Sequence, residues 1–166
     1  LTTLREELEC VNTYVALEKA RFGDKFHYVQ EVPPELMDYS IPVLSLQPLV
    51  ENSINHGLLP KESPGLVKVS AWLEFNELHL AVSDNGVGIP EDKIPQVLQP
   101  GCGSGNGVGL SNVNLRLQSL YGQDFGLLIS SETGKETTVS MRLPLIRSAA
   151  IINDEAPIKE LQVNEA

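Results

Sequence analysis

The chain has 166 residues, 42% of them hydrophobic, which is enough for one cored domain, with or without appendages. Its net charge of −10, from 22 acidic against 12 basic residues, argues against nucleic acid as a partner, because phosphate backbones are bound through clustered Lys and Arg. No apolar run approaches the length of a membrane span. The charged opening does not read as a signal peptide, and Cys10 and Cys102 lack metal-site spacing, so free thiols in a reducing compartment are expected.

Residues 1–22 carry Leu1, Leu4, Leu8, Val11, Val15 and Phe22 at steps of three and four, with Glu18 as a charged interruption. The pattern is that of an amphipathic helix. It is either docked on its own domain or the end of a dimeric coiled segment. Gly23-Asp24 stops it, and residues 25–32 alternate weakly as a strand closed by Pro33-Pro34. From Pro42 to Gly57 a second helix is expected. Val43, Leu44, Leu46, Leu49, Val50, Ser53 and Ile54 form its apolar face, Pro48 is a candidate kink, and Gly57 is the C′ stop. Glu51, Asn52, Asn55 and His56 share the remaining arc or its edge. Such a row is either a wet stripe or a site wall. As a wall, Asn52 offers a neutral carbonyl oxygen suited to Mg²⁺ and Glu51 offers a base.

Residues 66–75 and 77–83 read as a hairpin turning at Asn76, with the single tryptophan, Trp72, expected to pack. The second strand alternates Leu78, Leu80 and Val82 against His79, Ala81 and Ser83, and delivers Asp84 to its end. Asn85-Gly86 is by itself a hairpin turn signal. Yet Gly86 and Gly88 also strip side chains from a loop beside a carboxylate. A buried aspartate accepts from an exocyclic amine, which adenine has at its six position and guanine lacks. One helical turn is expected near Ile94, Val97 and Leu98. Then come glycines at 101, 103, 105, 107 and 109, running into a helix expected over 110–121 with Leu110, Val113, Leu117 and Leu120 inward. A glycine loop entering a helix N-terminus suits phosphate. The spacing spells neither a P-loop nor a dinucleotide fingerprint. Residues 126–131 and 136–143 are the last strands, and 146–166 read as a tail.

Gln47-Pro48-Leu49-Val50-Glu51-Asn52-Ser53-Ile54-Asn55-His56-Gly57, Asp84 to Pro90, Gly105 to Leu110 and Gly134 to Thr138 resemble, in that order, the N, G1, G2 and G3 boxes of the ATP-binding catalytic domain of LytS-type sensor histidine kinases, within the gyrase, Hsp90, histidine kinase and MutL superfamily. The resemblance implies an α+β two-layer sandwich, the Bergerat fold. Its sheet is mixed and mostly antiparallel, with helices on one face and an N-terminal helix. The implied division is 1–23 as the end of a preceding helical segment, 24–145 as the ATP-binding domain and 146–166 as the tail. The implied ligands are ATP and Mg²⁺. Asn52 would hold the metal, Glu51 would help deprotonate the receiving imidazole, and Asp84 would bind adenine with Thr137 nearby. Gly86 and Gly88 would let the ring lie on backbone, and Gly105, Gly107 and Gly109 would lid the phosphates. The same boxes place Asn55, His56, Ile89, Val108 and Leu110 around the nucleotide.

The implied partners are the phosphoacceptor helical domain of the same kinase, a response regulator, and a second copy in a full-length homodimer. No membrane contact is expected from this stretch, and a cytoplasmic location is. The chain departs from the family at Asn55 (commonly Lys), Asn114 (often Arg) and Glu136 (usually Gly). His27, His56 and His79 all lack the family's Pro-His-Phe acceptor context, so the acceptor is expected on another domain. A nucleotide-sensing module without catalysis, and an ATPase or anti-sigma-type serine kinase, are the competing expectations.

Overall fold

The structure, a computed structural model, describes residues 1–101 and 108–147. A short strand β1 (Thr2–Thr3) leads into helix α1 (Leu4–Phe22). A capping box starts the helix: the Thr3 hydroxyl accepts the Glu6 N–H while the Glu6 carboxylate accepts the Thr3 N–H. Leu4, Leu8, Val11 and Val15 are buried in the same core as the sheet, while Leu1 stays exposed. Two carboxylates go in with them, Glu7 and Glu18. Glu7 takes the N–H groups of Leu44, Ser45 and Leu46. Glu18 pairs with Arg21 at 3.2 Å.

The main sheet runs in the order β2 (Phe26–Glu31), β4 (Gly65–Glu74), β5 (Glu77–Asp84), β7 (Glu136–Pro144), β6 (Leu128–Glu132). Only β2 and β4 are parallel; the other pairings are antiparallel. This is the mixed, mostly antiparallel sheet that the resemblance implies. Phe75 and Asn76 join β4 to β5 with φ of 48° and 62°, the left-handed pair that a two-residue hairpin turn requires. Val67, Val69 and Ala71 on β4, Leu78, Leu80 and Val82 on β5, and Val139, Met141 and Leu143 on β7 are buried under the helices. The opposite face is wetter. There Trp72 is 39% exposed and stacks on His79 at 5.3 Å, rather than filling the core.

The second helix departs from expectation. Helix α2 spans only Gln47–Asn52 and continues as a π-helical stretch, Ser53–Leu58. Residues 42–46 are a loop, with Val43 and Leu44 about half exposed and Leu44 at φ 55°. The Glu7 carboxylate accepts the N–H groups of 44–46 and so ties this loop to α1. Pro48 lies in the first turn, where it kinks nothing. After a 3-10 turn comes one turn of helix, α3 (Ile94–Val97). Helix α4 (Val108–Tyr121) starts two residues before its expected position. Leu110, Val113 and Leu117 are buried, but Leu120 is 53% exposed. The Gly122 N–H closes this helix on the Gln118 carbonyl with φ +104°.

Strand β3 (Ser40–Ile41) pairs with β1 on one edge. On its other edge the Ser40 N–H donates to the Ile146 carbonyl, and Tyr39 bridges Arg147. Residues 146 and 147, expected in the tail, are therefore tied to the fold; 148–166 lie outside the described residues. Among the described residues no helix is long and apolar enough to cross a membrane.

Candidate nucleotide site

The inward stripe of β5 is Leu78, Leu80, Val82 and then Asp84, which is 4% exposed. The same stripe on β7 ends at Thr137, also 4% exposed, and the antiparallel register sets Thr137 opposite Asp84. A carboxylate thus ends an apolar row. Burial pushes its pKa above the usual carboxylate value. Three neighbours oppose the shift: the Ser53 hydroxyl, the Gly86 N–H and the Lys61 charge. The Gly86 N–H donates to Asp84 Oδ1 at 3.0 Å. Ser53 Oγ lies close by but outside hydrogen-bond geometry, buried and without a partner.

Asn85-Gly86 does not make a hairpin. The Val87 N–H donates to the Gly57 carbonyl at 3.0 Å, and the Gly134 N–H donates to the Val87 carbonyl at 2.7 Å. The loop is therefore clamped between the π-helical stretch and the β6–β7 turn. The glycines serve that clamp. A Cβ on Gly57 would sit 2.5 Å from Asp84 Oδ1, one on Gly86 2.3 Å from the Gly57 backbone, and one on Gly88 2.4 Å from the Glu132 carbonyl oxygen. Gly57 is thus a contact within the π-helical stretch, not the C′ stop expected. In the Cβ direction Gly86 and Gly88 thus meet the protein's own backbone.

Ser131 was missed by sequence reasoning. Its hydroxyl takes the Ile89 N–H at 2.8 Å, donates to the Glu136 carbonyl, and meets Thr137 Oγ1 at 2.7 Å. Lys61 was missed as well; its ammonium donates to the Asn85 carbonyl at 2.9 Å. Both lie in segments whose pattern reads only as strand end and loop.

The polar row lies on α2 and the π-helical stretch: Glu51, Asn52 and Asn55 half-buried, His56 exposed. Gln47 Nε2 donates to Glu51 Oε1 at 2.8 Å. The first turn of α4 lies beside α2, with a Cβ on Gly109 reaching 3.4 Å from Pro48. The Leu110 side chain is part of the core. Gly105, Gly107 and the Val108 side chain lie outside the described residues. Asn114 Oδ1 accepts the Leu127 N–H at 2.9 Å. Arg116 donates to the Val43 carbonyl.

Among the described residues, no three His, Cys, Asp or Glu side chains cluster to hold a metal unaided. One amide oxygen, Asn52, beside one carboxylate, Glu51, suits a Mg²⁺ that keeps waters and shares a nucleotide's phosphates. The unpartnered Ser53 hydroxyl beside Asp84 likewise suits a ring with donors and acceptors along one edge.

The family model for the histidine kinase-, DNA gyrase B-, and HSP90-like ATPases matches residues 38–147. The chain belongs to that family. It is 37% identical over 147 residues to the sensor protein LytS of Bacillus subtilis (strain 168), covering 87% of this chain and 25% of LytS. It is 34% identical over 142 residues to the sensor histidine kinase BtsS of Escherichia coli (strain K12), covering 86% of this chain and 24% of BtsS. The chain thus spans about a quarter of each of these two relatives. The catalytic domain of histidine kinase ThkA superposes with a TM-score of 0.68 at 16% identity, over 88% of this chain and 96% of that one, and shares the fold. Together these make the chain an ATP-binding domain of the histidine-kinase kind.

Proposed function

We propose that this domain binds Mg·ATP and passes its γ-phosphoryl group to a histidine on a separate helical domain. The carrying observation is Asp84, a carboxylate at the end of a buried apolar stripe with one oxygen held by the Gly86 N–H. Its other oxygen is left to accept an exocyclic amine. Thr137 stands opposite it. Asn52 holds the metal through its amide oxygen. The metal offsets the phosphate charge, because the α2 and π-helical residues 47–58 contain no Lys or Arg. Glu51, held by Gln47, takes the proton from the receiving imidazole. The receiving domain, a response regulator and a full-length homodimer are the partners that the reading entails.

The test joins calorimetry with transfer in trans to the acceptor-histidine segment of Bacillus subtilis LytS. ATP binds with Mg²⁺, GTP binds at least roughly tenfold more weakly, and Asn52→Ala abolishes phosphohistidine formation. Equal binding of ATP and GTP, or full transfer by Asn52→Ala, overturns the reading. The missing cation at Asn55 favours one competitor, a nucleotide-sensing module that binds ATP but transfers nothing.

A further inference from the structure

Asn85 and Gly86 share a peptide group whose two polar ends are both engaged. The Gly86 N–H donates to Asp84 Oδ1 at 3.0 Å, and the Asn85 carbonyl accepts the Lys61 ammonium at 2.9 Å. A peptide group is planar, so fixing its oxygen fixes the direction of its N–H. A charge at that oxygen also polarises the group and strengthens the N–H as a donor. The rest of Asn85 is tied to β4: its N–H donates to the Leu66 carbonyl at 3.2 Å, and its Oδ1 accepts the Leu66 N–H at 2.7 Å. Lys61 is itself held, half-buried in the loop between the π-helical stretch and β4. Its N–H donates to the Leu58 carbonyl at 3.1 Å, and its carbonyl accepts the Lys25 ammonium from the 3-10 turn that follows α1. Among the described residues, neither ammonium forms an ion pair with a carboxylate. Two of the 12 basic residues are thus committed to backbone carbonyls beside Asp84.

We infer that Lys61 is a positioning residue for base recognition, setting through the Asn85–Gly86 peptide which Asp84 oxygen is occupied and which is left to a base. It acts through that peptide and needs no contact with the nucleotide. Without the ammonium the peptide loses its outer anchor, and the carboxylate no longer presents one free oxygen at a fixed angle. The Lys61 charge also opposes the burial that pushes the Asp84 pKa up. Asp84 reads the base edge at which adenine and guanine differ, so the effect falls on the choice of base. A lysine that merely attracted phosphate charge would act on ATP and GTP alike. The inference rests on the proposed ATP binding and names the residue that sets its base end.

The test is Lys61→Met, which keeps most of the stem and removes the charge. Affinities for Mg·ATP and Mg·GTP are measured by calorimetry, the weaker one by competition. The variant loses roughly tenfold for ATP and less than about twofold for GTP. Lys61→Arg, which keeps a charged donor, recovers most of the ATP loss. In the ligand-free protein the Gly86 amide proton resonance moves upfield in Lys61→Met, the mark of a weakened hydrogen bond. An unchanged ATP affinity, equal losses for ATP and GTP, no recovery in Lys61→Arg, or an unmoved Gly86 resonance overturns the inference. A wild-type domain that binds no ATP sinks the proposed function and this inference with it. Wild-type binding beside an unaffected Lys61→Met variant sinks the inference alone.

Discussion

At the scale of single residues, Asp84 concentrates the physics. Its folded pKa lies above the unfolded value, 3.8. Such a group contributes stability fully below the unfolded pKa and loses it as pH rises through the folded one. At neutral pH the ionised carboxylate therefore weakens the empty domain. Asp84→Asn removes that charge while leaving an oxygen for the Gly86 N–H. The variant is more stable than wild type at neutral pH, and the gap closes as pH falls through the carboxylate range. Urea midpoints of both proteins between about pH 4 and pH 8 check this; a gap independent of pH refutes it. The same variant loses at least about tenfold in ATP affinity, roughly 1.4 kcal/mol, because an amide N–H₂ now faces a donor. A residue that costs stability and serves a ligand is where function overrides folding.

At the scale of elements, the turning point is Glu7. Its carboxylate ends three N–H groups of residues 44–46 from 37 to 39 positions away. Glu7→Ala leaves at least two of those donors buried and unmet. We expect a loss of about 2–4 kcal/mol in urea unfolding, and a loss below about 1 kcal/mol would refute the role. This contact also explains what could be read in the sequence. Strand alternation around Val82 and Val139 set the sheet, because a half-buried strand repeats every two residues whatever its neighbours do. The Thr3-x-x-Glu6 capping box is likewise spelled locally. The start of α2 was misread because Val43-Leu44 looks helical until a distant glutamate claims its backbone. Gly57 was read as a stop because its reason, the approach of Asp84, lies 27 positions away. Of the candidate site, Asp84, Thr137, Glu51 and Asn52 were legible as polar residues on apolar patterns. Ser131 and Lys61 were not, since each matters only through contacts between elements.

At the scale of the whole molecule, α1 is part of the core, although the family model begins at residue 38. Its four buried aliphatic side chains, Leu4, Leu8, Val11 and Val15, contribute together roughly 6–12 kcal/mol. That is comparable to the entire stability of an ordinary domain. A chain beginning at Gly23 should therefore be unfolded or molten, with lost near-ultraviolet circular dichroism and rapid proteolysis. A cooperative thermal transition in that truncated chain refutes the expectation.

Strand β3 has β1 on one edge and Ile146 on the other. The incoming and outgoing segments therefore flank a single strand, about 10 Å apart. The first residues and residue 146 thus meet at one corner of the fold, as a bracket meets a wall. Tension between the first residues and residue 147 would be borne across that three-ply seam.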